Sequence, residues 1–302
     1  SYLEIPKSDL INLKHSLKYE LLRSNRAGSY ANTSIIYSNT RKYEGLLVCP
    51  VPEIDNGNHV LLSDLDESIV QHNKEFRLGL HKYPGEYWEP AGHKYAMSFK
   101  IDPTPTIVYR VGGVQLQKEV ILVQDEERIL VKYTLLEATS KTYLRLQPFL
   151  AFRNSHTLSK ENLYANTRFT RIPGGIKMKM YETYPFLHMQ ISKKAEFISF
   201  PNWYRDIEYI EEENRGYEFR EDLFVPGIFE IEIKKGESVI FSAGTKQTVG
   251  SKLFDQFDKE TEVRTSRNSF QNNLKNAAQQ FIVRKGNTTE IIAGFPWFGR
   301  WG

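Results

Sequence analysis

The sequence predicts a mainly β protein, a large antiparallel β-sandwich followed by a C-terminal helical linker. Three observations carry that expectation. Short runs of alternating apolar and polar residues, separated by turns rich in Gly and Pro, recur from about Glu4 to Thr248. Aromatic residues reach 13%, with 17 Tyr and 18 Phe, which favours strands over a helical bundle. From Ser251 onward the apolar period changes from two to that of a helix.

Taken in order, Ile107–Val111 and Val114–Lys118 flank Gly112-Gly113 and read as a hairpin with a two-residue turn. Leu116, Val120 and Leu122 share one strand face with Lys118, and the alternation continues through Ile129, Val131, Tyr133 and Leu135. Tyr143 to Phe149 forms another strand. After the Pro173-Gly174-Gly175 turn, Ile176, Met178 and Met180 alternate with Lys177 and Lys179. Phe229, Ile231 and Ile233 alternate with Glu230, Glu232 and Lys234, and Lys235-Gly236 turns the chain into Val239-Ile240-Phe241. Strands of this length over some 240 residues describe a sandwich with one buried face per sheet. No repeat of fixed period appears, which counts against a propeller or β-helix.

Phe270, Leu274, Ala277, Ala278 and Phe281 then form the stripe of an amphipathic helix, preceded by a weaker helical segment from Lys252 to about Thr261. Thr289–Ala293 reads as extended chain. The expected organisation is a β-domain over 1–250, then a helical linker and the first residues of a second domain over 251–302.

A net charge of +3 with 25% charged residues shows no basic block, so a nucleic-acid binder is not expected. One cysteine, Cys49, permits neither an internal disulfide nor a Cys-based zinc site. No 18-residue apolar run or basic-then-apolar leader occurs, so membrane association is not expected and the cytoplasm is the expected location. The signatures of P-loop, dinucleotide, zinc-protease and serine-hydrolase chemistry are missing, and no cofactor is expected.

Several stretches carry candidate chemistry. Asp64, Asp66 and Glu67 crowd three carboxylates together, but without the spacing and turn glycine of a calcium loop, so they read as a solvated face and no metal is expected. Arg153, Asn154 and His156 end a strand in a polar cluster typical of a binding loop. Trp203-Tyr204-Arg205 and the run from Arg215 through Glu221 and Asp222 alternate aromatics with charges, which suits sugar stacking or a set of structural ion pairs. The terminal Gly294–Gly302 stretch places Trp297, Phe298, Arg300 and Trp301 among glycines. Aromatic faces with a guanidinium stack on sugar rings and bond their hydroxyls. So much uncommitted aromatic surface implies an interface, and the chain is expected to be the front part of something longer.

These residues, in order along nearly the whole chain, resemble the N-terminal domain of glycogen debranching enzymes of bacterial and archaeal type. The resemblance rests on Asn25–Tyr30, on Asn39–Leu47, on Leu62–Glu67, on Arg153 with His156, on Asn202–Arg205, on Arg215–Tyr217, on Glu221–Leu223 and on Ala293–Gly302. Lys42 and Glu44 depart from it, since an Arg and a His usually stand there.

The resemblance implies a supersandwich like that of galactose mutarotase and of the glucoamylase N-domain. It implies a following (α/α)6 barrel that carries the general acid and base and hydrolyses α-1,6 branch linkages of glycogen or related α-glucans. This segment is then expected to hold no catalytic residue. It would support its own barrel and bind α-glucan through Trp297, Phe298, Arg300, Trp301, Trp203, Tyr204, Arg205, Arg153, His156, Glu221 and Asp222. Two alternatives stand beside it: an aldose epimerase using His156 and His188 with Glu221 as acid and base, and a carbohydrate-binding module without an enzymatic parent.

Overall fold

The computed structural model describes residues 3–285, 287–292 and 300–301, the last two and Lys285 through their backbone only. Two antiparallel sheets dominate it. Among the described residues the first has nine strands, in the spatial order Glu4–Pro6, Ala96–Ile101, Pro105–Val111, Val114–Leu122, Arg128–Glu137, Ser238–Gly244, Leu187–Ile191, Gly175–Met178 and Thr170–Ile172. The second runs Glu196–Glu208, Arg220–Ile233, Thr142–Asn154, Asn58–Gln71, Gly45–Pro50, Tyr30–Ser34 and Glu20–Ser24, with Lys74–Arg77 also paired to the long 58–71 strand. The expected Gly112-Gly113 hairpin is present, with Val111 opposite Val114.

Alternation decides what each strand buries. Inner-face residues of both sheets, among them Leu47, Leu62, Leu146, Leu116, Ile129, Val131, Met189 and Phe241, form one core between the layers. The outer face of the second sheet is also buried in part, by Tyr30, Val48, Val60, Phe149, Ile207, Tyr209 and Leu223. A sheet covered on both sides must find partners for the polar groups that come with it.

In the first sheet, Lys118 of the Val114–Leu122 strand is a further polar group that burial obliges to find a partner. The strand pattern places it on the buried face, and it is fully buried with Nζ 2.5 Å from Glu67 Oε1 and 3.8 Å from the centre of the Tyr37 ring. Tyr133 donates its hydroxyl to the same Glu67 oxygen at 2.6 Å. The expected solvated face at residues 64–67 is therefore overturned: Asp64, Asp66 and Glu67 are all buried. Their partners come from other strands and are invisible in local spacing.

The two expected helices are present, at Leu253–Glu262 and Phe270–Gln279. The first packs Leu253 and Phe257 on Ile121, Val123, Leu130 and Ile240, the outer side of the first sheet. In the second, Ser269 caps the N-terminus by accepting from Asn272 N–H. Its stripe does not all turn inward, because Phe270 and Leu274 are exposed while Asn276 and Gln280 are buried. Gln280 explains the orientation: its Oε1 accepts the Ser24 N–H at 2.7 Å and its backbone oxygen accepts the Ser24 hydroxyl at 2.6 Å. Hydrogen bonds at a sheet edge outweigh part of the apolar stripe.

Candidate functional site: a polar and aromatic groove on the second sheet

The outer face of the second sheet carries the candidate site. In the 142–154 strand, Leu144 and Leu146 enter the core, so Arg145 and Gln147 face outward. The neighbouring 196–208 strand is irregular, with register shifts between Ser199 and Asn202 and again between Tyr204 and Ile207. The first shift leaves Phe200 65% exposed. Gly227, opposite Ser199, makes that bulge possible, since a Cβ there would lie 2.2 Å from Ile198 O and 3.0 Å from Phe200 N.

The result is an open groove of about 300 Å³. Phe200, Tyr204, Arg77, Arg145, Gln147 and Glu75 line it over a floor that includes Gly227. Gln147 Nε2 donates to the Tyr204 hydroxyl at 2.6 Å, which leaves that hydroxyl its own proton to donate. Arg145 Nε donates to Glu230 at 2.7 Å and its Nη1 lies 3.3 Å from Glu75; Arg77 Nη1 donates to Glu89 at 2.9 Å. An exposed ring beside fixed donors and acceptors is suited to a polyhydroxylated ligand with an apolar face. Among the described residues Glu75 is the one carboxylate in the lining, whereas glycoside hydrolysis uses two.

Most of the site residues expected from sequence lie near this face, in distinct roles. Tyr204 is in the groove, but Trp203 is half-buried on the core side of the strand, its ring 5.4 Å from that of Phe224. Arg205 is exposed and paired with Glu161. Arg153 and Glu221 form a buried ion pair whose second contact, Nη2 to Oε1, measures 3.0 Å. Glu221 also accepts the Tyr209 hydroxyl at 2.6 Å and the Ser159 N–H at 2.8 Å. Burial alone would lower the Arg153 pKa, but the Glu221 charge and hydrogen bond raise it instead; burial raises that of Tyr209.

Asp222 accepts the N–H groups of Glu161 and Asp206, both at 2.9 Å, and so pins the 155–169 loop to the bulge at Asp206, where φ is 58°. His156 Nδ1 lies 3.2 Å from the Tyr43 hydroxyl. Arg300 and Trp301 pair through their backbone with Ile292 and Ile291, and Trp297 and Phe298 lie outside the described residues. The epimerase set is not brought together, since His188 belongs to the first sheet and Glu221 is buried in the second.

The sequence reading missed Arg145, Gln147, Arg77, Glu75 and the exposure of Phe200. The outward phase of Arg145 and Gln147 was available from alternation with Leu144 and Leu146. The convergence of four strands on one groove was not.

Among the described residues, Asp64, Asp66 and His81 alone gather metal-type ligand atoms, all within 4.8 Å of one another. His81 Nε2 lies 2.8 Å from Asp66 and its Nδ1 4.0 Å from Asp64. Burial would lower the His81 pKa, but the two carboxylates raise it.

The family model described as glycogen debranching enzyme N terminal matches residues 19–240. No curated protein matches. Among solved structures, a bacterial glucoamylase complexed with acarbose gives a TM-score of 0.37 at 10% identity, covering 91% of this chain and 35% of that one. A polysaccharide lyase gives 0.28 at 10% identity, covering 79% of this chain and 34% of the other. The chain thus spans about a third of the length of either. No helix among the described residues is long and apolar enough to cross a membrane.

Proposed function

This chain belongs to the glycogen debranching enzyme N-terminal family, and from that premise we propose that it is the accessory β-domain of a glycoside hydrolase that removes α-1,6 branches from glycogen or related α-glucans. The observation that carries the reading is the family match over residues 19–240. The groove gives it a physical task. Phe200 stacks on a glucose face, while Tyr204, Gln147 and Arg145 bond its hydroxyls. The catalytic acid and base belong to a helical barrel of the whole protein, and residues 251–302 link to it. Arg153, Glu221, Tyr209 and Asp222 hold the loops of this face and do no chemistry.

Calorimetric titration of the chain with a linear maltooligosaccharide tests the reading. Phe200→Ala is expected to weaken binding about tenfold, as follows from losing roughly 1.5 kcal/mol of aromatic burial. Because Phe200 is exposed in the free chain, the melting temperature is expected to stay unchanged. Undiminished affinity in that variant removes the groove from the account.

A further inference from the structure

Where the helical segment meets the edge of the second sheet, Arg23, Arg26 and Arg264 line one cavity with Glu260, with Arg267 beside it and Asp125 and Glu126 near Glu260. Arg23 lies on the edge strand Glu20–Ser24 and Arg26 in the turn after it. Arg264 and Arg267 lie on the link between the two helices. Arg23, Arg26, Arg264 and Glu260 line a polar cavity of about 50 Å³ together with Gln124 and Gln279. Arg267 lines an adjoining apolar cavity whose wall Arg23 shares.

Glu260 is weakly committed to these cations. Its Oε2 is 3.8 Å from Arg264 Nη2, and its Oε1 accepts the Gln124 N–H at 3.2 Å. Arg264 Nη2 donates to Leu122 O at 2.8 Å, but the Nε groups of Arg264 and Arg267 are buried without a hydrogen-bond partner. Arg23, Arg26 and Arg267 have no ion pair among the described residues. Unpartnered buried donors cost about 1–3 kcal/mol each, and buried charges are ordinarily paired. Burial brings Arg264 down to about 10 and holds Arg23 well below the usual guanidinium range, with repulsion from the neighbouring arginines adding to both. Among the described residues, the cavity lining sets three guanidinium groups against one carboxylate.

We propose that this cavity binds a small tetrahedral oxyanion, either inorganic phosphate or the phosphate of a monoester. Guanidinium forks match such oxygens in plane and spacing. The volume is a few times the roughly 10–15 Å³ that one water needs, which fits a phosphate group and excludes a sugar ring. Since Arg23 and Arg26 come from the sandwich and Arg264 from the helical link, a bound anion ties the two together. This site is separate from the glucan groove and stands without it.

Isothermal titration of the 302-residue chain with inorganic phosphate, in chloride buffer of matched ionic strength, tests the site. A hexose phosphate and a neutral hexose are run in parallel. Saturable one-to-one binding of phosphate is expected, with Arg23→Gln and Arg264→Gln each weakening it about tenfold or more. Glu260→Gln removes the carboxylate that lines the cavity, keeps an oxygen for the Gln124 N–H, and is expected to tighten binding. Hexose phosphate binding alongside phosphate shows a site open to esters, and phosphate alone a closed one; both support the proposal. Heat that follows ionic strength only, or binding unchanged in all three variants, overturns it.

Discussion

Glu44, where the related family usually carries a His, ends the loop before the Gly45–Pro50 strand and is 1% exposed. Its Oε2 accepts the N–H groups of Thr40 and Arg41. Burial pushes its pKa up to about 8, and burial beside Asp66 pushes that of Asp64 up to about 7. The folded chain thus keeps protons that the unfolded chain releases near pH 4. A raised carboxyl pKa gives stability that is full below the unfolded value and is lost as pH rises to the folded one. Stability is expected to fall from about pH 5, by roughly 1.4 kcal/mol per pH unit for each group, up to about 7 for Asp64 and about 8 for Glu44. Glu44→Gln keeps an oxygen for both N–H groups and is expected to flatten the profile. Urea midpoints at pH 5 and pH 8 measure it, and parallel profiles for the two proteins would contradict the assignment.

The groove depends on one irregular element, the 196–208 strand. Its bulge at Phe200 needs the backbone of Gly227 to approach Ile198 without a Cβ between them. Gly227→Ala is expected to cost more than about 2 kcal/mol, within the range for a strained or overpacked site, and to weaken maltooligosaccharide binding along with stability. Chemical denaturation and calorimetry together check it, and a neutral substitution would show that the bulge does not set the groove. The hairpin at Gly112-Gly113 and the 270–279 helix were legible in the sequence because turn residues and periodicity are local signals. The direction a face points was less so. Asp64, Asp66 and Glu67 look solvated in isolation, yet His81 and Lys118, distant in sequence, make their burial tolerable. Phe270 and Leu274 look like core, yet the polar anchor at Gln280 turns them outward. The Arg153–Glu221 pair joins two stretches that were singled out separately and never connected.

For the whole molecule, two sheets enclose one core, and the second sheet buries enough of its outer face to fix a polar surface in place. That surface carries an open groove with one carboxylate in its described lining, while Glu221 is committed to an ion pair and Asp222 to a loop anchor. The chain belongs to the glycogen debranching enzyme N-terminal family over residues 19–240, and the proposed accessory role rests on that membership. The most direct measurement is glucose release from a branched limit dextrin, by this chain alone and by the whole protein. The account predicts release by the whole protein and none by the chain, however much maltooligosaccharide the chain binds. Glucose released by the chain alone would place the catalytic pair within these 302 residues and contradict it.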